Sequence, residues 1–449
     1  MDGKIYIRRS GEAGGEGFGM RAAILAGGRG TRIGKLYPEI PKPMIPVCGK
    51  PILQWQVESL AAQGISDITL IVGYKSDAVK QHFGDGKNFD ARINYIAENN
   101  PLGTGGALSL LPREDTLILF GDVYCDMDFS RFIAFHRKLK AEITLFVHPN
   151  SHPYDSDIVV TDSDNRVTTW KSKKDKQRGE LRNLVNAGLY VFSVGALPVG
   201  ETVKRDLDHN LIIPRLAEGK VYAYRSTEYV KDMGMPERLR NVELDIDSGA
   251  SVARSLRNKQ RAVFIDRDGT LNEENGLVTS PEQLRLIPGT AEAIRTLNKS
   301  PFLVICITNQ PVVARGDVSF EGLNAIHARL DTVLGNDGAY LDDLLFCPHH
   351  PDKGYKGEVQ KYKTDCECRK PKPGMLLEAA KRYNIDLSRS YMIGDSTSDV
   401  AAGQTAGCKT IGVRTGRALE DGKREVLPDA VFDDLLCAVK LLIKTQDNS

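Results

Sequence analysis

Two short, almost unbroken apolar runs, residues 22–26 (AAILA) and 262–265 (AVFI), each end abruptly on a loop of glycine or aspartate. An apolar run this short and without polar alternation suits a strand covered on both faces, as in a parallel sheet. Parallel strands need crossover connections, and ligands of such sheets gather beyond the C-terminal strand ends. Each run is therefore predicted to open an α/β unit of its own, with its chemistry in the loop that follows. Further apolar runs at 68–72 and 116–120, then at 302–307 and 390–393, alternate with helical stretches such as 52–63 and 374–383.

The chain has 449 residues, a length that usually holds two or three domains. Residues 245–260 (DIDSGASVARSLRNKQ) are polar and small, and are predicted to be a linker. That divides the chain into a Gly-rich flexible extension at 1–19, a first unit at 20–244 and a second at 261–449. Lys plus Arg is 60 and Asp plus Glu is 59, which argues against a chain that coats nucleic acid or an acidic membrane. No apolar run nears the roughly 18 residues of a membrane span, and the start lacks the apolar stretch of a secretory signal. A cytoplasmic location is expected. Eight cysteines are too sparse for a disulfide scaffold, but Cys347, Cys366 and Cys368 cluster, which in that compartment points to metal.

In the first unit, Gly27-Gly28-Arg29-Gly30-Thr31-Arg32 follows the strand. Glycines let backbone N–H groups approach phosphate, and an arginine adds a charged donor fork. Lys42 then stands between Pro41 and Pro43, on backbone of restricted φ, a good way to fix one cation against a triphosphate. The ordered set AAILAGGRGTRI, PKPMIPV, LGTGGA, FGD, NAG and DMGMPE resembles the sugar-1-phosphate nucleotidyltransferases over roughly residues 20–240. The spacer GKLYPEI before PKPM is most similar to the heptose-1-phosphate guanylyltransferases.

That resemblance implies roles. Gly27, Gly28, Gly30, Thr31 and Arg32 cradle the nucleotide, GTP in that branch, and Lys42 meets charge developing on the α-phosphate. Glu98, Gly103 and Gly106 lie near base and sugar. Asp122 and Asp232 hold Mg²⁺, Asn186 and Gly188 line the sugar pocket, and Lys171 is a candidate for the sugar phosphate. The usual Asp-Ile-Gly-Thr-Pro is Asp-Met-Gly-Met-Pro here.

In the second unit, Asp266-Arg267-Asp268-Gly269-Thr270 follows its strand directly. Two carboxylates so spaced can serve one site, one attacking phosphorus while the other handles protons. DxDGT, followed in order by Thr308-Asn309, Arg369-Lys370-Pro371-Lys372 and Gly394-Asp395, resembles the haloacid-dehalogenase phosphatases over about residues 260–440. The resemblance makes Asp266 the nucleophile and Asp268 the general acid/base. Asp266, the Asp268 carbonyl and Asp395 surround Mg²⁺, with Asp399 in support. Thr308 and Asn309 orient the phosphoryl group, and Arg369 lies at the substrate. A lysine neutralises the phosphoaspartate, Lys370 by its place in the RKP pattern, with Lys372 as the alternative.

Cys347, His349, Cys366 and Cys368 offer enough ligands for a tetrahedral structural Zn²⁺ site that clamps the polar loop between them, with His350 as a competing ligand. CPHHP with CECRKPKPGM is similar to the heptose-1,7-bisphosphate 7-phosphatases, a pattern shared in part by histidinol-phosphate phosphatases, although Pro311-Val312 replaces the usual Ser-Gly after TNQ. The expected fold is α/β, two Rossmann-like domains, a nucleotidyltransferase fold and then a haloacid-dehalogenase fold. The expected ligands are sugar phosphates and GTP, with no nucleic acid or membrane partner; a homo-oligomer stays open. Other readings are a mannose- or hexose-1-phosphate transferase fused to a histidinol-phosphate-like phosphatase, or a nucleotide sensor with dead catalytic loops, which the intact aspartates disfavour.

Overall fold

The computed structural model describes residues 19–28, 37–175, 179–274 and 276–446. The extension expected over 1–19 lies, apart from Gly19, outside the described residues. The first unit is built on a sheet of 9 strands. At its heart, Thr116–Phe120, Arg21–Ala26, Asp67–Val72 and Arg92–Ala97 lie side by side and parallel. Ala22, Ala23 and Ile24 are wholly buried, as their unbroken apolar run requires. Val185–Phe192 runs antiparallel to Thr116–Phe120 and joins it to the remaining strands. Helix Ile52–Ala61 covers one face through Leu53, Val57 and Leu60. A separate ribbon pairs Val123–Asp126 with Tyr229–Asp232, antiparallel, with Val123 opposite Asp232.

The second sheet has 6 strands, all parallel. Its first strand, Arg261–Ile265, stands in the middle. Phe302–Asn309 and Asp343–Cys347 lie to one side; Tyr391–Gly394, Lys409–Val413 and Ala430–Phe432 lie to the other. Strand order therefore reverses beside Arg261–Ile265, between the strands that end at residues 265 and 394, which is where such sheets bind ligands. The first sheet reverses in the same way between Arg21–Ala26 and Thr116–Phe120. Both expected Rossmann-like units are present, and in each the strand order reverses beside the first strand singled out from the sequence.

Segment 245–260 is no open tether. Helix Pro236–Asp247 runs into it, Ala250–Ala253 adds another turn, and Ser251, Ser255 and Gln260 are buried. Arg254 donates to Asp342 (2.9 Å) and to the Phe302 carbonyl (3.3 Å). The Glu228 carboxylate accepts from Leu256 N at 3.0 Å and from Asp128 N at 2.6 Å. Along the same seam Arg182 meets Asp331 and Arg225 meets Asp343, both at 2.7 Å. All three aspartates are buried. Removing one partner of a buried pair typically costs about 3–5 kcal/mol, so these pairs tie the two units together along the seam. Among the described residues no helix is long and apolar enough to cross a membrane.

Candidate active sites

In the first unit the candidate site gathers groups from distant parts of the chain. Pro41 leads into a single turn, Lys42–Met44, that fixes the Lys42 backbone. The Lys42 ammonium contacts the Asp122 carboxylate. Asp122 sits in the turn joining Thr116–Phe120 to Val123–Asp126, and the turn is clamped from behind. Gln56 is 1% exposed, and its amide donates to the carbonyls of Phe120 (2.8 Å) and Val123 (2.7 Å). The ribbon delivers Asp232 to the same place, with Met233 N donating to the Asp122 carbonyl at 2.9 Å. Asp232 is paired with Arg238 and accepts from Gly234 N (3.1 Å). A Cβ on Gly234 would lie 3.2 Å from Asp232 Oδ1 and 3.8 Å from Lys42 Nζ. Two carboxylates and a lysine so arranged suit a hard divalent cation that shares its remaining positions with phosphate oxygens. Met233, where the family pattern has Ile, packs with Ile45, Ile52 and Tyr229, so the departure is absorbed in the core.

Gly27 ends the first strand beneath Glu98. A Cβ there would come within 2.6 Å of Glu98 Oε2 and would push that carboxylate aside. Glu98 Oε1 accepts from Leu102 N (3.3 Å), and burial raises its pKa. Gly28 faces open space. Gly30, Thr31 and Arg32 lie outside the described residues. Gly103 and Gly106 are in contact with segment 203–205, with which their loop exchanges hydrogen bonds. Asn186 and Gly188 lie on Val185–Phe192. Gly188 has φ +77°, and a Cβ there would meet the Phe120 ring at 2.6 Å. Lys171 ends Val167–Lys171, opposite Ile158.

In the second unit, Asp266 leaves Arg261–Ile265 and Asp395 leaves Tyr391–Gly394, on either side of the strand-order reversal. Carboxylate oxygens of Asp266, Asp395 and Asp399 all lie within 4.8 Å of one another. Lys370 is 4% exposed and reaches Asp266 Oδ1 (2.8 Å) and Asp399 Oδ1 (2.6 Å). Burial, then the Asp399 charge, push Asp266 well above the usual carboxylate range, against the pull of Lys370. Burial and Asp399 likewise raise Asp395 to about 7. Three buried carboxylates facing one lysine are short of positive charge, which is the donor set a divalent cation fits.

Asp268 points elsewhere. Its carboxylate accepts from Arg267 Nε (3.0 Å) and Nη2 (2.8 Å), Asn272 (3.0 Å) and Gln310 (2.9 Å). Burial would raise its pKa, but the Arg267 charge and these hydrogen bonds hold it below the usual range. As a proton donor Asp268 must first leave this clamp. The Thr308 hydroxyl accepts from Gln310 (2.8 Å). Asn309 turns to Lys370 instead: its amide donates to the Lys370 carbonyl and accepts from its N–H, both at 3.0 Å. Lys372 lies outside the cluster, paired with Asp365 (2.9 Å) and Glu367 (3.2 Å). Arg369 donates to the His349 carbonyl (3.1 Å).

Cys347, His349, Cys366 and Cys368 converge with all four ligand atoms within 4.8 Å. Cys368 Sγ lies 3.3 Å from Cys347 Sγ and 3.4 Å from His349 Nδ1. Three sulfurs and one imidazole gathered this closely are a donor set that suits zinc. His350 is turned away, its Nδ1 accepting from Asp352 N (3.2 Å). Gln56, Arg238, Arg267 and Gln310 escaped the sequence reading. Arg267 and Gln310 lie within the quoted motifs; Gln56 and Arg238 carry no signal that separates them from ordinary helix surface.

Residues 21–249 match the nucleotidyl transferase family model, and residues 367–438 match the HAD-hydrolase-like model. The chain belongs to the nucleotidyl transferase and HAD-like hydrolase families. It is 43% identical over 168 residues to the D-glycero-beta-D-manno-heptose-1,7-bisphosphate 7-phosphatase of Pasteurella multocida, covering 37% of this chain and 89% of that protein. It is 32% identical over 278 residues to the mannose-1-phosphate guanylyltransferase of Mycobacterium tuberculosis, covering 60% of this chain and 74% of that protein. Among solved structures it is similar to HddC from Yersinia pseudotuberculosis complexed with GMP-PN, at 26% identity and TM-score 0.43, over 50% of this chain and 99% of that chain. Both families are enzymes, and this chain carries a nucleotidyltransferase unit followed by a phosphatase unit.

Proposed function

We propose that the chain is a bifunctional enzyme of nucleotide-sugar biosynthesis, its working units residues 20–244 and 261–449 joined through 245–260. The phosphatase unit removes the 7-phosphate of a heptose 1,7-bisphosphate. The transferase unit passes GMP from GTP to the resulting heptose 1-phosphate, giving GDP-heptose and pyrophosphate. The observation that carries this reading is a pair of separate carboxylate–lysine centres in one chain: Lys42 with Asp122, and Lys370 with Asp266 and Asp399.

In both units the carboxylates suit Mg²⁺, which when bound supplies positive charge against phosphate oxygens. Asp122 and Asp232 would hold it in the first, Asp266, the Asp268 carbonyl and Asp395 in the second. In the transferase unit a sugar-phosphate oxygen attacks the α-phosphorus and pyrophosphate leaves, so the protein contributes positioning and charge. Lys42 meets the developing negative charge. In the phosphatase unit Asp266 attacks phosphorus and the sugar oxygen departs. Asp268, which takes up a proton once released from Arg267 and Gln310, gives it to that oxygen and later takes one from the water that hydrolyses the aspartyl phosphate. Lys370 neutralises the charge on the intermediate, and the Thr308 hydroxyl orients it.

The test is a coupled assay with a panel of sugar bisphosphates and sugar 1-phosphates, reading phosphate and pyrophosphate separately. Mannose is the second reading for the sugar, favoured by the 32% identity to a mannose-1-phosphate guanylyltransferase. Turnover of mannose 1-phosphate in preference to heptose 1-phosphate would select it. In the same assay GTP should exceed ATP, UTP, CTP and dTTP by about tenfold, since a site that pairs guanine's N1–H and amino group loses about 1–3 kcal/mol when they are missing. Glu98, half-buried beside Gly27, is the carboxylate for that pair. Faster turnover of ATP or UTP would reject the guanylyl assignment and leave nucleotidyl transfer standing.

Zn²⁺ is the ion proposed for the cysteine cluster, and reduced thiolates of this kind fit the cytoplasm. Freshly prepared, unchelated protein should carry about one zinc per chain, as one site of this type requires. Cys366→Ser should lower that content and destabilise the second unit more than the first. Metal analysis finding no zinc would end this assignment.

A further inference from the structure

The transferase unit contains a polar chain whose far end none of the steps above employs. Asn186 Nδ2 donates to the Tyr190 hydroxyl (2.8 Å), which donates to Asp208 Oδ1 (3.4 Å). Asn186 Oδ1 accepts from Gly188 N at 3.4 Å. Tyr190 is wholly buried, so its hydroxyl is committed to this chain. Among the described residues it is the one hydrogen-bond donor to the Asp208 carboxylate.

The segment bearing Asp208 is fixed on the glycine loop at 102–106. Arg205 N donates to the Leu102 carbonyl and Gly105 N to the Arg205 carbonyl, both at 2.9 Å. Leu207 N donates to Thr104 Oγ1 (2.8 Å). Asp208 then lies on Leu207–Ile212, a π-helical turn, a rare geometry that recurs at functional sites. Burial, then the charges of Asp206 and Asp157, push the Asp208 carboxyl up to about 7, with the Tyr190 hydroxyl pulling the other way. Asp157 adjoins Asn186, whose N–H donates to its carbonyl (3.0 Å). Three acidic side chains repel a phosphate, whereas a partly buried carboxyl with spare hydrogen-bonding capacity suits neutral hydroxyl groups.

We propose that Asp208, held by Tyr190 and Asn186, hydrogen-bonds ring hydroxyls of the sugar 1-phosphate and so sets which sugar the transferase unit accepts. This rests on the transferase reading above. The test uses the full chain, with pyrophosphate release measured against sugar 1-phosphate, against GTP, and against a set of monodeoxy sugar 1-phosphates. Asp208→Asn should raise KM for the sugar 1-phosphate by about tenfold or more, because losing a pairing built into a polar site is costly. KM for GTP should stay unchanged, and the penalty for at least one monodeoxy analogue should shrink. Tyr190→Phe keeps the ring packing and should shift both quantities the same way by less. Wild-type sugar KM and wild-type deoxy discrimination in both variants would overturn the assignment alone. No pyrophosphate from the unsubstituted chain with any sugar 1-phosphate would overturn the transferase reading, and this assignment with it.

Discussion

Asp266→Asn should stop phosphate release while pyrophosphate release from heptose 1-phosphate and GTP continues at the unsubstituted rate. The amide cannot act as the attacking oxygen nucleophile, and loss of a nucleophile costs on the order of 10⁴-fold or more. Asp122→Ala should do the reverse, lowering pyrophosphate release by about 10²–10³-fold, the scale expected when a group that organises transition-state charge is removed. The two centres share no residue, and each sits at the strand-order reversal of its own sheet. The seam through Arg182–Asp331 and Arg225–Asp343 joins the units, so circular dichroism should accompany both assays. A folded variant that has lost both activities would count against two autonomous sites.

The two loops that carry this chemistry were legible because a strand buried on both faces leaves an unbroken apolar run, and glycine or aspartate then ends it. Pairing across the chain leaves no such trace. Asp122 and Asp232 become neighbours through the ribbon of Val123–Asp126 and Tyr229–Asp232, whose residues before Asp232 show no motif of their own. Gln56 reads as the polar face of helix Ile52–Ala61, yet its amide is spent on the turn that carries Asp122. Segment 245–260 looks like a linker because its hydrogen-bonding partners, among them Asp342 and Glu228, belong to distant segments. Spacing favours His349 over His350; in the structure the His349 ring lies against Cys368 Sγ, while the His350 ring accepts from Asp352 N. Asn309 has the right place in its motif for a phosphate contact, but only the structure reveals that its amide is already closed on the Lys370 backbone.

The two lysines of the RKPKP segment should differ by orders of magnitude in what their loss does. Lys370 lies buried between Asp266 and Asp399 and also donates to the Ile307 carbonyl (2.8 Å). Burial alone would depress its pKa, but the two carboxylates hold it above the ordinary lysine range. In Lys370→Ala those carboxylates face one another, and Asp395 beside them, with no lysine to offset the charge. Leaving a buried charge uncompensated costs about 3–5 kcal/mol, so the urea midpoint should fall clearly. Phosphate release should drop by about 10³-fold, because the cation aimed at the phosphoaspartate is gone. Lys372 offers the opposite case. Its ammonium pairs with Asp365 and Glu367 at the surface, where solvent screens such pairs. Lys372→Ala should leave both the midpoint and phosphate release unchanged. If instead Lys372→Ala loses activity and Lys370→Ala keeps it, Lys370 is not the lysine that meets the phosphoryl group.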